Sequence, residues 1–119
     1  MVRLRLVIVC SMLLAPPAVW AHAYLVKSVP AQRAVLYRAP AKIQLWFNER
    51  LEPRYSSLSL SDSGGKTIEL GAVEISAEDP KRLSAAVKPL PAGRYTIKFR
   101  VLSVDGHVVQ DEFSFTVKQ

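Results

Sequence analysis

Apolar and polar residues alternate with a period of two along three segments of the chain, residues 42–47, 94–101 and 112–117. This period is typical of a β-strand that turns one face to a core and the other to water. Trp46 falls on the polar face of its segment, so we expect it to point outward. The apolar faces give the predicted core, which consists of Ile43, Leu45, Phe47, Tyr95, Ile97, Phe99, Val101, Phe113, Phe115 and Val117.

Weaker alternation and frequent turn signals extend this prediction to the rest of the chain. Further short strands are predicted near residues 24–28, 55–61, 66–70 and 82–88. Turns are predicted at 62–66 ("DSGGK"), 78–80 ("EDP") and 89–93 ("PLPAG"), where glycine, proline and aspartate interrupt the pattern. About seven short strands in a small chain without helical periodicity predict an all-β fold, an immunoglobulin-like antiparallel β-sandwich of Greek-key type.

The first 21 residues have a different pattern. Arg3 and Arg5 give a positively charged start, residues 6–15 are apolar, and Ala21 offers a small residue for cleavage. These three parts are typical of a secretory signal peptide. A transmembrane anchor is the alternative, but ten apolar residues are too few for a bilayer core that needs about 20. We therefore predict a signal peptide at 1–21 and an exported domain at 22–119.

Removal of residues 1–21 changes the composition of the chain. The remaining 98 residues carry 14 basic and 10 acidic side chains, and they contain neither cysteine nor methionine. Disulfides and sulfur ligands for a metal are thereby excluded. The basic residues are spread along the chain without the basic stripe of a nucleic-acid reader, so nucleic acid is not an expected partner.

Two histidines remain after cleavage, and both have informative surroundings. Cleavage after Ala21 would free the α-amino group of His22, which together with its imidazole Nδ1 can close a chelate ring on a metal. His107 follows Asp105 by two residues, a spacing that on an extended segment can aim both side chains to one side. Nitrogen and carboxylate donors of this kind suit Cu(II), and zinc is the alternative ion. In the plainer interpretation His22 is an exposed terminal residue and "VDGHVV" is only a hairpin turn.

The sequence from His22 onward resembles the CopC family of exported copper-binding proteins. Four short elements carry the resemblance: a first-position histidine (His22), an S-x-P segment at 28–30, an F-x-E motif at 47–49 and a D-x-H segment at 105–107. They lie in the longer stretches "HAYLVKSVPA", "APAKIQLWFNERLEP" and "PLPAGRYTIKFRVLSVDGHVVQDEFSFTV".

The resemblance implies a β-sandwich that holds Cu(II) in a histidine brace. The ligands would be the amine and imidazole of His22, the imidazole of His107, and Asp105 near or on the metal. Glu49 falls at an acidic position of the family close to the site. It would orient the amine or an imidazole by a hydrogen bond, and a solvated glutamate at a strand end is the alternative.

One departure from the family bears on the oxidation state of the copper. Some members carry a methionine-rich loop that binds Cu(I), but residues 57–83 of this chain contain neither methionine nor histidine. The resemblance therefore implies a binder of Cu(II) only.

The functional expectation is a monomeric periplasmic Cu(II)-binding protein of copper homeostasis or resistance, not an enzyme. It could deliver copper to a CopD-type membrane importer. Two alternatives stay open: a copper-dependent oxidative enzyme built on a histidine brace, and a metal-free immunoglobulin-like assembly module.

Overall fold

The computed structural model describes residues 23–119. The predicted signal peptide at 1–21 and the predicted ligand His22 lie outside these residues. Within 23–119 the one helical element is a single 3-10 turn at Pro53–Tyr55, and no helix is long and apolar enough to cross a membrane. The strands are β1 Leu25–Val29, β2 Val35–Leu36, β3 Lys42–Phe47, β4 Ser57–Ser61, β5 Thr67–Ile68, β6 Glu74–Ile75, β7 Arg82–Ala86, β8 Gly93–Leu102 and β9 Val108–Val117.

The strands form two sheets that face each other. One sheet has the order β1-β3-β7-β6 and the other the order β2-β9-β8-β4-β5. Three of the seven neighbouring pairs within 23–119 are consecutive strands, β4 with β5, β6 with β7 and β8 with β9. The other pairs cross between distant parts of the chain or skip a strand, since β3 pairs with β7 while the next long strand, β4, pairs with β8 in the other sheet. The predicted all-β, immunoglobulin-like sandwich is confirmed.

The core lies between the sheets and contains the residues that the alternation selects. All ten predicted core side chains are buried, and Ile43, Leu45, Ile97 and Val101 have no exposed surface. Aromatic side chains join the two sheets and the central strands, with ring centroids 5.4 Å apart for Phe47 and Phe99 in an edge-to-face arrangement. Aromatic pairs of this geometry stabilise a core beyond the area that they bury.

Two short strands and one parallel pairing differ from the sequence-based expectation. The two-residue strands β2 and β6 raise the number of strands in the described residues from the predicted seven to nine, since two residues are too short for a recognisable alternation, whereas β5 lies within the strand predicted near 66–70. In the pair of β2 with β9 the strands run parallel, although an antiparallel sandwich was predicted. The chain beside β2 is tied to β9 by main-chain bonds from Arg33 N to Ser114 O and from Thr116 N to Ala34 O, and these contacts depend on tertiary structure.

Trp46 lies where the pattern predicts, on the outer face of the four-stranded sheet. Its ring is half-buried because the ammonium of Lys27, its partner on β1, lies 4.8 Å from the ring centroid. The lysine covers one face of the indole, a contact typical of a cation with an aromatic ring.

The longest element is the hairpin of β8 and β9, and it positions the candidate site. Its ten residue pairs run without interruption from Gly93 and Val117 to Leu102 and Val108. The inward row of β8 is packed in the core, so the turn that closes this hairpin is attached to the most firmly paired part of the fold.

Candidate metal-binding site

The residues singled out in the "DGH" segment form the turn between β8 and β9. Two main-chain hydrogen bonds close the turn, from Ser103 N to His107 O and from Gly106 N to Ser103 O, both at 2.9 Å. Gly106 has φ +92°, in the left-handed region that side chains other than glycine rarely adopt. The turn thus needs its glycine between the two candidate ligands.

Asp105 and His107 touch each other within this turn. The distance from His107 Nδ1 to Asp105 Oδ2 is 3.0 Å, and the side chains are 34% and 33% exposed. The chain reverses here instead of running extended through the D-x-H spacing. The hairpin turn of the plainer interpretation of "VDGHVV" is present, and its reversal brings the two side chains together.

The carboxylate of Asp105 has partners at both of its oxygens. Oδ1 accepts a hydrogen bond from the Ser103 hydroxyl and one from His107 N at 3.1 Å, and Oδ2 faces His107 Nδ1. The bond from Ser103 is the main cause that lowers the pKa of Asp105 from 3.8 to about 2, followed by the bonds from His107. The carboxylate is therefore ionised at neutral pH.

The ionised carboxylate also decides which nitrogen of His107 is available to a metal. Nδ1 is buried against Asp105. A neutral imidazole next to a carboxylate carries its proton on the facing nitrogen, which leaves the other nitrogen as an acceptor. Asp105 thus holds His107 in the tautomer whose Nε2 lone pair can bind a metal, an arrangement common among metal-binding histidines.

The segment 48–52 joins this turn to the beginning of β1. Tyr24 N donates to Asn48 Oδ1 at 2.6 Å, and Asn48 N donates back to Tyr24 O at 3.2 Å. Val104 N donates to Arg50 O at 2.9 Å, and Leu51 forms a bridge with Ser103. One short segment therefore contacts both the N-terminal strand and the turn that carries Asp105 and His107.

Two contributors to this arrangement, Ser103 and Asn48, were not among the residues predicted from the sequence. Ser103 continues the row of inward-facing residues of β8, which includes Tyr95 and Ile97. A polar residue at a position where the alternation predicts an apolar one was the feature of the sequence that could have identified it. Asn48 is the middle residue of the F-x-E motif, and its contact with Tyr24 spans 24 residues, which no local pattern reveals.

The structure places only part of the predicted ligand set. Asp105 and His107 come together, Glu49 is half-buried in the joining segment, and His22 lies outside the described residues. Across residues 23–119 no three His, Cys, Asp or Glu side chains form a group that could hold a metal ion. The role of Glu49 and the participation of His22 remain predictions.

Comparison with known proteins identifies the family. The model of the CopC domain matches residues 25–118. This chain belongs to the CopC family. The match covers all nine strands and the joining segment, and it confirms the resemblance found in the sequence.

Three relatives show how far the similarity extends. Copper resistance protein C of Escherichia coli is 38% identical over 106 residues, which cover 82% of this chain and 82% of that protein. CopC from Methylosinus trichosporium OB3b has a crystal structure with a TM-score of 0.77 at 38% identity, covering 82% of this chain and 94% of that one. PcoC from Escherichia coli, described as a methionine-rich copper resistance protein, gives 0.72 at 34% identity, with coverages of 82% and 100%.

Proposed function

We propose that this protein binds Cu(II) in the periplasm, as a copper-handling protein and not as an enzyme. The donors would be the α-amine and imidazole of His22, Nε2 of His107, and Asp105 beside or on the metal. Removal of residues 1–21 would create the amine, so the uncleaved precursor should be a poor copper binder.

The observation that carries this proposal is the link between the turn and the N-terminal strand. Asn48 contacts Tyr24 and Arg50 contacts Val104, so the two contacts lie two residues apart on one segment. Two residues span at most about 7 Å. His22 precedes Tyr24 by two residues, so the length of chain between them is short enough to support a site that combines donors of His22 with His107.

The donor chemistry favours Cu(II) over Cu(I) and over zinc. Cu(I) prefers sulfur, and residues 22–119 contain neither cysteine nor methionine, whereas PcoC is described as methionine-rich. Nitrogen and carboxylate donors suit tetragonal Cu(II), which stands above Zn(II) in affinity among the common divalent ions. The relatives named as copper resistance proteins support copper as the ion.

The cellular role that follows is copper resistance or supply. A soluble exported domain with an exposed Asp105–His107 pair can take up the ion in the periplasm and release it to a membrane protein of the CopD type. A monomer is sufficient for this role, because each chain would supply the complete set of donors.

A comparison of N-termini tests the proposal. The full chain is expressed in an exporting host, and mass spectrometry verifies that the purified protein begins at His22. A second form carries one alanine inserted between Ala21 and His22, which converts the amine of His22 into an amide. We expect Cu(II) affinity to fall by more than about 100-fold, because loss of a group that only orients a ligand already costs about 10–100-fold.

The matched control carries the same extra alanine after Gln119 and should bind like the wild type. Affinity is measured by competition with a chelator, and the stoichiometry by calorimetry. Equal affinity of the two N-terminal forms would remove His22 from the site. A correctly processed protein that binds no Cu(II) at all would favour the metal-free assembly module, and oxidation of a polysaccharide with reductant present would favour the enzyme.

A further inference from the structure

Ser103 is a buried polar side chain at the end of the inward row of β8. It is 1% exposed, and it is the one polar or charged residue among 23–119 that is buried in the core. Tyr95, Ile97, Phe99 and Val101 precede it at every second position, so the pattern of the strand calls for an apolar residue here. A buried hydroxyl costs stability unless it makes a hydrogen bond, and the hydroxyl of Ser103 donates to Asp105 Oδ1.

We propose that Ser103 is a positioning residue of the copper site, which acts through Asp105 on the imidazole of His107. The inference rests on the proposed function and adds to it a residue that never touches the metal. Ser103 holds Oδ1 of the carboxylate, and Oδ2 of the same carboxylate holds Nδ1 of His107 at 3.0 Å. The core thereby fixes the orientation of a metal ligand through two successive contacts, the hydrogen bond of Ser103 and the Asp105–His107 pair.

The geometry explains why a buried donor is needed at this place. The side chain of Asp105 is one-third exposed, and His107 N is the other group that donates to Oδ1. Without the hydroxyl, the carboxylate can rotate about its side-chain bonds toward water and release Nδ1. Ser103 itself has no such freedom, because its side chain is packed in the core and its main chain closes the turn with His107 and Gly106.

A double-mutant cycle separates this role from a general effect on the turn. Cu(II) affinity is measured for the processed wild type, Ser103→Ala, Asp105→Asn and the double variant. We expect Ser103→Ala to weaken binding by about 10-fold or more, in the range found for groups that orient metal ligands. In the Asp105→Asn background the same change should have almost no effect, because residues of one hydrogen-bond chain are not additive.

Three further measurements keep the test decisive. Ser103→Thr retains the donor and should bind close to wild type, and Ser59→Ala, an exposed serine of β4, should bind like the wild type. Nitrogen-15 spectra of the metal-free protein report the tautomer of His107, and Ser103→Ala should lose the preference for a proton on Nδ1. Circular dichroism verifies that each variant is folded.

The outcomes distinguish this inference from the function on which it rests. A wild type that binds no Cu(II) overturns both. If the wild type binds Cu(II), two results overturn the positioning role alone. One is an unchanged Cu(II) affinity in Ser103→Ala, and the other is an equal loss of affinity from Ser103→Ala in the wild-type and the Asp105→Asn backgrounds. An unchanged His107 tautomer in Ser103→Ala also contradicts it.

Discussion

Replacing the carboxylate of Asp105 by the amide of asparagine perturbs the candidate site while keeping its shape. Two groups donate to Oδ1 of the carboxylate, the Ser103 hydroxyl and His107 N, and Oδ2 lies 3.0 Å from His107 Nδ1. An amide offers one acceptor oxygen and one donor nitrogen. The asparagine can therefore accept hydrogen bonds at the position of Oδ1 or at that of Oδ2, but not at both.

Either orientation of the amide disturbs His107. With the amide oxygen at the Oδ1 position, the amide NH₂ faces Nδ1 and moves the imidazole proton to Nε2, the nitrogen proposed to bind copper. With the orientation reversed, the NH₂ meets the main-chain N–H of His107, and two donors face each other. We expect Cu(II) affinity to fall by about 10–100-fold, the usual loss for a partner that orients a metal-binding histidine, and by more if Asp105 itself touches the metal.

The assay is competition with a chelator, followed by electron paramagnetic resonance of the copper-loaded protein. Asp62→Asn is the matched control, since Asp62 also accepts two main-chain hydrogen bonds in a hairpin turn, from Gly64 and Lys66 at 2.9 Å. An amide oxygen preserves both of those bonds, and this turn lies toward the opposite end of β4 and β8. Wild-type affinity in Asp105→Asn would refute the proposed tautomer control, and equal losses in the two variants would indicate a general effect of charge.

Two further predictions concern the link to β1 and the response to acid. Asn48→Ala removes the acceptor of Tyr24 N, so the free energy of unfolding should fall by about 0.5–1.5 kcal/mol in urea denaturation, and Cu(II) affinity should fall with it. Gln44→Ala on the preceding strand β3 is the control, and unchanged stability and affinity in Asn48→Ala contradict the link. The folded-state pKa of Asp105 is about 2, below its ordinary 3.8, so its stabilising contribution is present above pH 3.8 and is lost as the pH falls toward 2. The metal-free wild type should thus have a larger free energy of unfolding than Asp105→Asn near neutral pH, and this difference should shrink between pH 4 and 2. A difference in the free energy of unfolding that stays constant over this range contradicts the prediction.

Sequence patterns predicted the centre of the fold because burial on one face leaves a period of two. The rows of β3, β8 and the end of β9 are long enough for this period to be read. The first half of β9 shows no such period, since residues 108–112 are largely exposed on both faces of the strand. Their strand conformation comes from pairing with β8, which is a tertiary contact and leaves no local period.

The candidate site was predictable where its residues lie close in sequence. Asp105 and His107 are two residues apart, and chemistry together with the resemblance selected them. The link through Asn48 was not predictable, because Tyr24 lies 24 residues away. Ser103 was missed for another reason: small polar residues are common near turns, and only its burial at 1% shows that it belongs to the core row.

The proposed site has two halves, the turn with Asp105 and His107 and the chain end with His22. The turn is attached to the fold by more contacts than the start of β1, and this difference bears on copper release. His107 and Asp105 sit on a turn closed by a ten-pair hairpin and tied to the core by Ser103, so this half is preorganised and loses little freedom when the metal binds. The N-terminal half leaves an edge strand whose register shifts between Leu25 and Lys27, and one reciprocal pair of bonds with Asn48 holds its beginning. Opening this half costs fewer contacts than opening the hairpin. Copper would therefore leave through detachment of the chain terminus, while His107 keeps its place on the protein.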